Sequence, residues 1–430
     1  MMGCASRPGV SAREFRQQIA ESPVFSQSFT GFAIYDTERR ETLYEYQADK
    51  YYTPASNTKV FTLYASLMLL GDSVPAIQYE QRSDSLIITG TGDPTLLHPD
   101  IESIDTTYTS AIYRFLRQHP GPLLYVERPI RDAYFGPGWA WDDYGYYYSS
   151  EKSAMPMYAN VVRFQFKPGM AKPLVYPNYF TSFVDGFADT TLYPSYVRRK
   201  QHQNRYVYGP KDDTLAFTKD VPFIQSTPTL LKLLQDTLHR EVQPYPAPYH
   251  RLTHTRYSLP SDSVYRRMMQ LSDNFVAEQL LLTCSSVWQD TLSTEWTIDY
   301  ITENYLQDLP DRPIWVDGSG LSRYNLQTPR TMVAMLQKVD SLLGDERIRT
   351  IFPAGGVSGT VKDWYANPAG QPYLFAKTGT LSGKHCLSGF LYTKKGKKLI
   401  FSFMHNNYIT SSSVFRVEME HILRKIYEEY

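Results

Sequence analysis

Val60, Phe61, Leu63, Tyr64, Leu67, Met68 and Leu70 follow one another in a run that Gly71 stops. Apolar residues at these spacings leave no polar face, so the segment reads as a helix buried inside a domain, not one laid on its surface. Pro54 and Ser56 mark its start and Gly71 its end. A buried helix needs protein on every side, and the rest of the chain must supply it. At the entrance stands Pro54-Ala55-Ser56-Asn57-Thr58-Lys59. Lys59 lies three residues after Ser56, one turn along on the same face, where an amine reaches a hydroxyl. Serine attacks only when a base takes its proton, and Ser-Lys is one pairing that does so. Taken alone, the tetrad is also an N-cap followed by a solvated first-turn lysine.

The surroundings of this helix predict its architecture. Ser11 and Glu14 form a capping box before a short helix through Phe15 and Ile19. Residues 31–36, a polar turn over 37–40 and residues 42–46 read as an antiparallel hairpin. From about Asp72 to Pro228 the chain is rich in Tyr, Pro, Gly and Asp, with short strand-like pieces such as 85–88 and turn signals such as Gly92-Asp93-Pro94. Helical pattern returns over 229–239, 263–271 and 275–283. Strands follow at 373–378, 385–393 and 399–405, the last two joined by a Lys-Lys-Gly-Lys-Lys turn. A closing helix carries Phe415, Met419, Ile422 and Ile426 on one stripe. The expected fold is α+β, an antiparallel sheet flanked by helices. Residues 11–75 and 229–430 make one domain, and the largely β part 76–228 is inserted.

Composition narrows the function classes. A chain of 430 residues, 42% hydrophobic and 14% aromatic, has the means to build real cores. Forty-four basic residues balance 44 acidic ones, so no bulk field draws nucleic acid or anionic lipid. Cys4, Cys284 and Cys386 are far apart and odd in number, which gives neither a disulfide framework nor a zinc spacing. No stretch reaches the roughly 18 apolar residues that span a bilayer.

Two further stretches carry chemistry. Ser272-Asp273-Asn274 falls between two predicted helices, and Lys377-Thr378-Gly379-Thr380 continues a predicted strand. Separately they read as an N-cap and a strand end. Together with Ser56-x-x-Lys59, in this chain order, they resemble the motif set of penicillin-binding proteins and class A β-lactamases. The gap from Ser56 to Ser272 is about twice that from Ser272 to Lys377, too long for a plain β-lactamase. The chain is similar to the class C low-molecular-mass penicillin-binding proteins, the D-alanyl-D-alanine carboxypeptidase/endopeptidase family, whose extra domains lie between the first two motifs. Gly90 to Thr95, Gly138 to Asp143, Asp317 to Arg323 and Ala376 to Gly383 agree. The similarity runs from about Phe32 to about His405, and is weakest between Tyr176 and Pro222.

The resemblance implies a serine β-lactamase/transpeptidase-like domain with largely β domains inserted between the first and second motifs. It also implies a mechanism needing no cofactor or metal. Ser56 attacks the bond between two D-alanines of a peptidoglycan stem peptide, and water hydrolyses the acyl-enzyme. Lys59 takes the serine proton, helped toward neutrality by burial beside Lys377. Ser272 relays a proton to the leaving amine, and Asn274 holds Lys59 and the substrate amide. Lys377 and Thr378 bind the terminal carboxylate, and the N–H groups of Ser56 and Thr380 form an oxyanion hole. Gly379 lets the substrate lie along the strand, while Arg323 and Ser382 stand near the substrate side chain. β-Lactams are expected to acylate Ser56.

Competing readings are a serine β-lactamase, with Glu303 as its second base, and a non-catalytic wall-binding module with a vestigial site. Glu303, however, sits in an amphipathic pattern that leaves it solvated. A zinc site at His250 and His254 would require a helix where the chain is a Pro-rich loop. Trp139, Trp141 and Tyr144 to Tyr148 read as packing of the inserted part, with stacking on sugars as the alternative. The substrate places the enzyme outside the cytoplasmic membrane, in the periplasm, and Gly3-Cys4 resembles the end of a lipoprotein signal, which would anchor the protein through Cys4.

Overall fold

The computed structural model describes residues 12–101, 106–170, 172–187, 197–209, 216–367 and 370–430. Ser11 of the expected capping box and Cys4 lie outside them. The chain divides into two compact units, one of residues 1–68, 265–273 and 298–430, the other of residues 69–264 and 274–297.

The first unit is built on a five-stranded antiparallel sheet in the order Leu374–Leu381, Lys384–Tyr392, Lys398–Asn406, Phe29–Asp36 and Glu41–Tyr46. Strands alternate their side chains between two faces, and here the alternation separates a core from a site. Phe32, Ile34, Leu387, Phe401 and Phe403 share one face with Phe15 and Ile19 of helix Ala12–Glu21 and with Phe415, Met419, Ile422 and Ile426 of helix Ser412–Glu429. The predicted stripe of the closing helix is therefore its core face. Ser388 and Ser402, of the opposite parity, point the other way. There Asn57 Nδ2 donates to Ser388 Oγ at 2.7 Å and Ser388 donates to Ser402 at 2.9 Å, tying the turn before the buried helix to the sheet. That helix runs Lys59–Leu69 behind a 3₁₀ turn, Ala55–Thr58. Val60, Phe61, Leu63 and Ala65 are fully buried, as a run without a polar face requires.

The second unit carries a five-stranded mixed sheet ordered Val242–Pro244, Leu123–Tyr125, Ser85–Gly90, Ser73–Arg82 and His254–Pro260, and two three-stranded sheets. Its core gathers Ile88, Val162, Phe164, Phe180, Tyr206 and Phe223. Leu230, Leu233, Leu234 and Leu238 of helix Thr227–Leu238 join that core. The helix therefore packs with the second unit, where the sequence pattern suggested that the first domain had already resumed. A helical period shows that a segment has an apolar face but not which core receives it. Asn274–Trp288, buried along most of its length, also belongs to the second unit. His254 lies on a strand and His250 in the loop before it, where its Nε2 stands 3.4 Å from Glu80 Oε2.

Candidate active site

The turn that carries Ser56 has an unusual backbone. Ala55 sits at φ 49°, in the left-handed region that alanine disfavours by about 1 kcal/mol or more. The strain persists because the surroundings fix the turn from two sides. Gly379 passes so close that a Cβ on it would lie 2.4 Å from the Pro54 carbonyl oxygen and 3.0 Å from the Ser56 nitrogen. Gly320, at φ 80°, comes closer still, and a Cβ there would meet the Ala55 carbonyl oxygen at 1.9 Å. Two glycines thus let the edge strand and a loop close on the serine turn.

Behind this turn Lys59 is fully buried, and its Nζ lies 3.1 Å from Ser56 Oγ. It also donates to the Ser319 carbonyl at 2.6 Å. The loop presenting that carbonyl is folded around Asp317, whose carboxylate accepts from the backbone N–H of Gly320 and Ser322 and from Asn325 Nδ2 at 2.7–2.8 Å. Thr62 Oγ1 donates to the Gly318 carbonyl at 2.6 Å, and Trp315 packs on Phe61 with ring centroids 5.5 Å apart. Asp317 and Ser319 are contributors that motif reasoning missed. The sequence marked the stretch Asp317 to Arg323, but a role played by a backbone carbonyl leaves no side-chain signature.

Ser272 sits in the turn between helices Ser261–Gln270 and Asn274–Trp288 at φ 57°. Asp273 holds that turn back on the preceding helix by accepting from Arg267 Nε at 2.9 Å. Lys377 Nζ donates to Ser272 Oγ at 2.8 Å and to the Thr378 carbonyl at 2.7 Å. Lys377 is fully buried, and burial, reinforced by repulsion from Lys59, pushes its pKa well below the usual lysine range. The first unit therefore joins Ser56 to Lys59, and Ser272 to Lys377, with the two lysines close enough to repel. Asn274 opens its helix in the second unit, where its amide donates to the Tyr148 carbonyl at 3.1 Å.

The edge strand orients the rest of the third motif. Among the described residues its outer side pairs at its start, where Ala376 N donates to the Pro353 carbonyl and Gly355 N to the Leu374 carbonyl, each at 2.9 Å. Backbone groups two residues apart point the same way, so the N–H groups of Thr378 and Thr380 face this edge too. Thr378 Oγ1 donates to Thr360 Oγ1 at 2.7 Å, and Thr380 Oγ1 bonds His385 Nδ1 at 2.9 Å. His385 is fully buried, its Nε2 has no hydrogen-bond partner among the described residues, and burial holds its pKa at about 3. It is a second contributor that the motifs did not signal. Arg323, on the Asp317 loop, and Ser382, in the turn after the strand, are exposed. Neither hydrogen-bonds Ser56, Lys59, Ser272 or Lys377 among the described residues. Glu303 is exposed on helix Thr294–Tyr305, as its pattern predicted.

A part-exposed serine beside a buried lysine, on an α+β scaffold with a second serine-lysine pair, defines an enzyme of the active-site-serine class that includes the penicillin-binding proteins. Comparison with known proteins gives the family. The sequence matches the D-Ala-D-Ala carboxypeptidase 3 (S13) family over residues 12–207 and 233–425, and the chain belongs to that family. It is a serine peptidase of the low-molecular-mass class C penicillin-binding protein type. D-alanyl-D-alanine carboxypeptidase DacB of Haemophilus influenzae is 25% identical over 439 residues, covering 94% of this chain and 91% of the relative. The D-alanyl-D-alanine carboxypeptidase of Actinomadura sp. (strain R39) is 26% identical over 465 residues, covering 94% and 83%. The crystal structure of penicillin-binding protein 4 (dacB) from H. influenzae superposes with a TM-score of 0.72 at 23% identity, covering 97% of this chain and 98% of that one, a likeness of fold.

Proposed function

We propose that Ser56 is the nucleophile and Lys59 its base, acting on the D-alanyl-D-alanine bond of peptidoglycan stem peptides. The observation that carries this is the 3.1 Å approach of Lys59 Nζ to Ser56 Oγ, with the ammonium buried and held by the Ser319 carbonyl. Lys59, once neutral, accepts the hydroxyl proton as Oγ bonds the carbonyl carbon of the penultimate D-alanine. The carbonyl oxygen takes up the negative charge, which the N–H groups of Ser56 and Thr380 receive. The C–N bond then breaks, and the leaving amine takes its proton through Ser272, whose Oγ is bonded to Lys377. Water hydrolyses the ester and frees Ser56.

Asn274 supplies a donor and an acceptor for the substrate amide, and Lys377 with Thr378 receives the terminal carboxylate. An anion arriving there restores the charge that burial removes from Lys377, so carboxylate binding and lysine protonation reinforce each other. Arg323 and Ser382 meet the substrate side chain. A β-lactam presents a strained amide and a carboxylate in the same relation, and acylates Ser56. The same chemistry serves release of a terminal D-alanine and cleavage of a cross-link. Such a substrate puts the enzyme outside the cytoplasmic membrane, in the periplasm or tethered through Cys4; among the described residues no helix is long and apolar enough to cross a membrane.

The test is release of D-alanine from a stem pentapeptide by wild type and by Ser272→Ala. Loss of turnover with acylation by penicillin slowed in parallel supports the relay through Ser272. Undiminished turnover in the variant removes that residue from the mechanism.

A further inference from the structure

Within the second unit lies a cavity of about 470 Å³, a volume in the usual range for small-ligand sites. Trp139, Trp141 and Tyr144 give it aromatic walls, and Glu151, Arg199 and His202 give it polar ones. Trp141 is 81% exposed, whereas Arg199 is only 7% exposed. An indole left in water and a guanidinium withdrawn from it are each costly, and here they line one space.

Arg199 is held from two sides. Its strand, Val197–Arg199, pairs antiparallel with Tyr206–Tyr208, and Arg199 stands opposite Tyr206. The guanidinium carbon lies over the Tyr144 ring, 5.6 Å from its centroid, a cation–π contact. Its Nε is buried with no hydrogen-bond partner among the described residues. Glu151 does not bond that Nε: its Oε2 accepts from the Gln225 backbone at 2.7 Å, and burial raises its pKa against the opposing pull of the Gln225 N–H and the Arg199 charge. A guanidinium fork matches a carboxylate in geometry and charge, and flat aromatic walls cover an apolar or ring-shaped body beside it.

We infer that this cavity is a second, non-catalytic site that binds a carboxylate-bearing peptide, the acidic stem of the polymer that the active site cuts. The inference rests on the reading of that active site as acting on stem peptides. Arg199 grips a free carboxylate, and Trp141 closes over the adjoining chain. In a stem peptide the γ-linked D-glutamyl residue offers such a carboxylate, and amidation removes its charge without changing its shape.

The enzyme is first acylated with penicillin to close the active site. A stem tetrapeptide is then titrated in, and calorimetry and tryptophan fluorescence follow binding. One saturable site is expected, weakened about tenfold or more by amidation of the glutamyl carboxylate, as loss of a charged hydrogen bond predicts. Arg199→Met and Trp141→Ala weaken it likewise. Equal binding of acid and amide peptides, or no saturation at millimolar peptide, overturns the proposal. So does equally tight binding of the peptide-free disaccharide. Should Arg199→Met fail to fold, the acid and amide peptides on the wild-type enzyme decide the same question. Failure of penicillin to label the enzyme strikes the active-site reading instead. The titration on unlabelled enzyme, where Arg199→Met must remove one of two sites, then decides the cavity.

Discussion

Gly320→Ala tests whether the Asp317 loop positions the reacting pair. Gly320 is at φ 80°, where a side chain costs about 1–2 kcal/mol. The larger effect is steric. The new Cβ would lie 1.9 Å from the Ala55 carbonyl oxygen, whereas real contacts stay beyond 3.0 Å. Either the loop or the serine turn must then retreat by about 1 Å, and misplacement of reacting groups by that much costs about 100-fold in rate. Asp317 holds the loop through three donors at 2.7–2.8 Å, so the turn yields and carries Ser56 away from Lys59. The assay is the second-order rate of labelling by a fluorescent penicillin, with circular dichroism to establish that the protein is folded. Gly344→Ala is the control: φ is 68° there but nothing stands within 4 Å of the new atom. It should lose stability yet label within twofold of wild type. Labelling of Gly320→Ala at a rate within a few-fold of wild type, or an equal loss in Gly344→Ala, would exclude this positioning role for the loop.

Lys59→Arg keeps the charge but cannot deprotonate, so labelling should vanish while thermal unfolding stays cooperative; near-normal labelling would exclude Lys59 as the base. Lys377 has a folded pKa below its unfolded value of 10.5, so the unfolded chain binds the extra proton and stability falls as pH drops below about 10.5. Lys377→Met should remove that slope, and urea midpoints measured between pH 7 and 10 should fall toward low pH more steeply in wild type. His385 is held at about 3 against 6.5 unfolded, so its contribution to stability is complete above pH 6.5 and is lost as pH falls toward 3. His385→Phe should blunt that acid loss and slow labelling about tenfold by freeing Thr380. In a Thr380→Val background the same substitution should change the rate no further.

Much of this architecture was legible because it rests on periodicity. The run from Val60 to Leu70 has no exposed polar face and is buried except at Leu67 and Met68, which are half-buried, and the apolar runs at 385–393 and 399–405, joined by a polar turn, marked two central strands whose core face carries Leu387, Phe401 and Phe403. Three short motifs pointed to the proposed chemistry because a nucleophile, its base and a buried cation would each need a particular side chain. Contributions made by the backbone stayed hidden. The Ser319 carbonyl meets Lys59, and Gly320 and Gly379 approach the serine turn through the side chains they lack, whereas the Thr380 N–H was named only through the family resemblance. His385 was equally silent, since a lone histidine in a strand looks the same whether it anchors a motif or fills space. Helix Thr227–Leu238 packs with the second unit because its leucines share a core with Phe180 and Phe223, partners that no local pattern names.

Every step of the proposed reaction depends on Ser56 forming the covalent bond. Intact-mass and peptide-mapping spectrometry after exposure to a penicillin should find one adduct, on the peptide containing Ser56, and none in Ser56→Ala. An adduct on Ser272 or elsewhere, or undiminished labelling of Ser56→Ala, would show that another residue is the nucleophile.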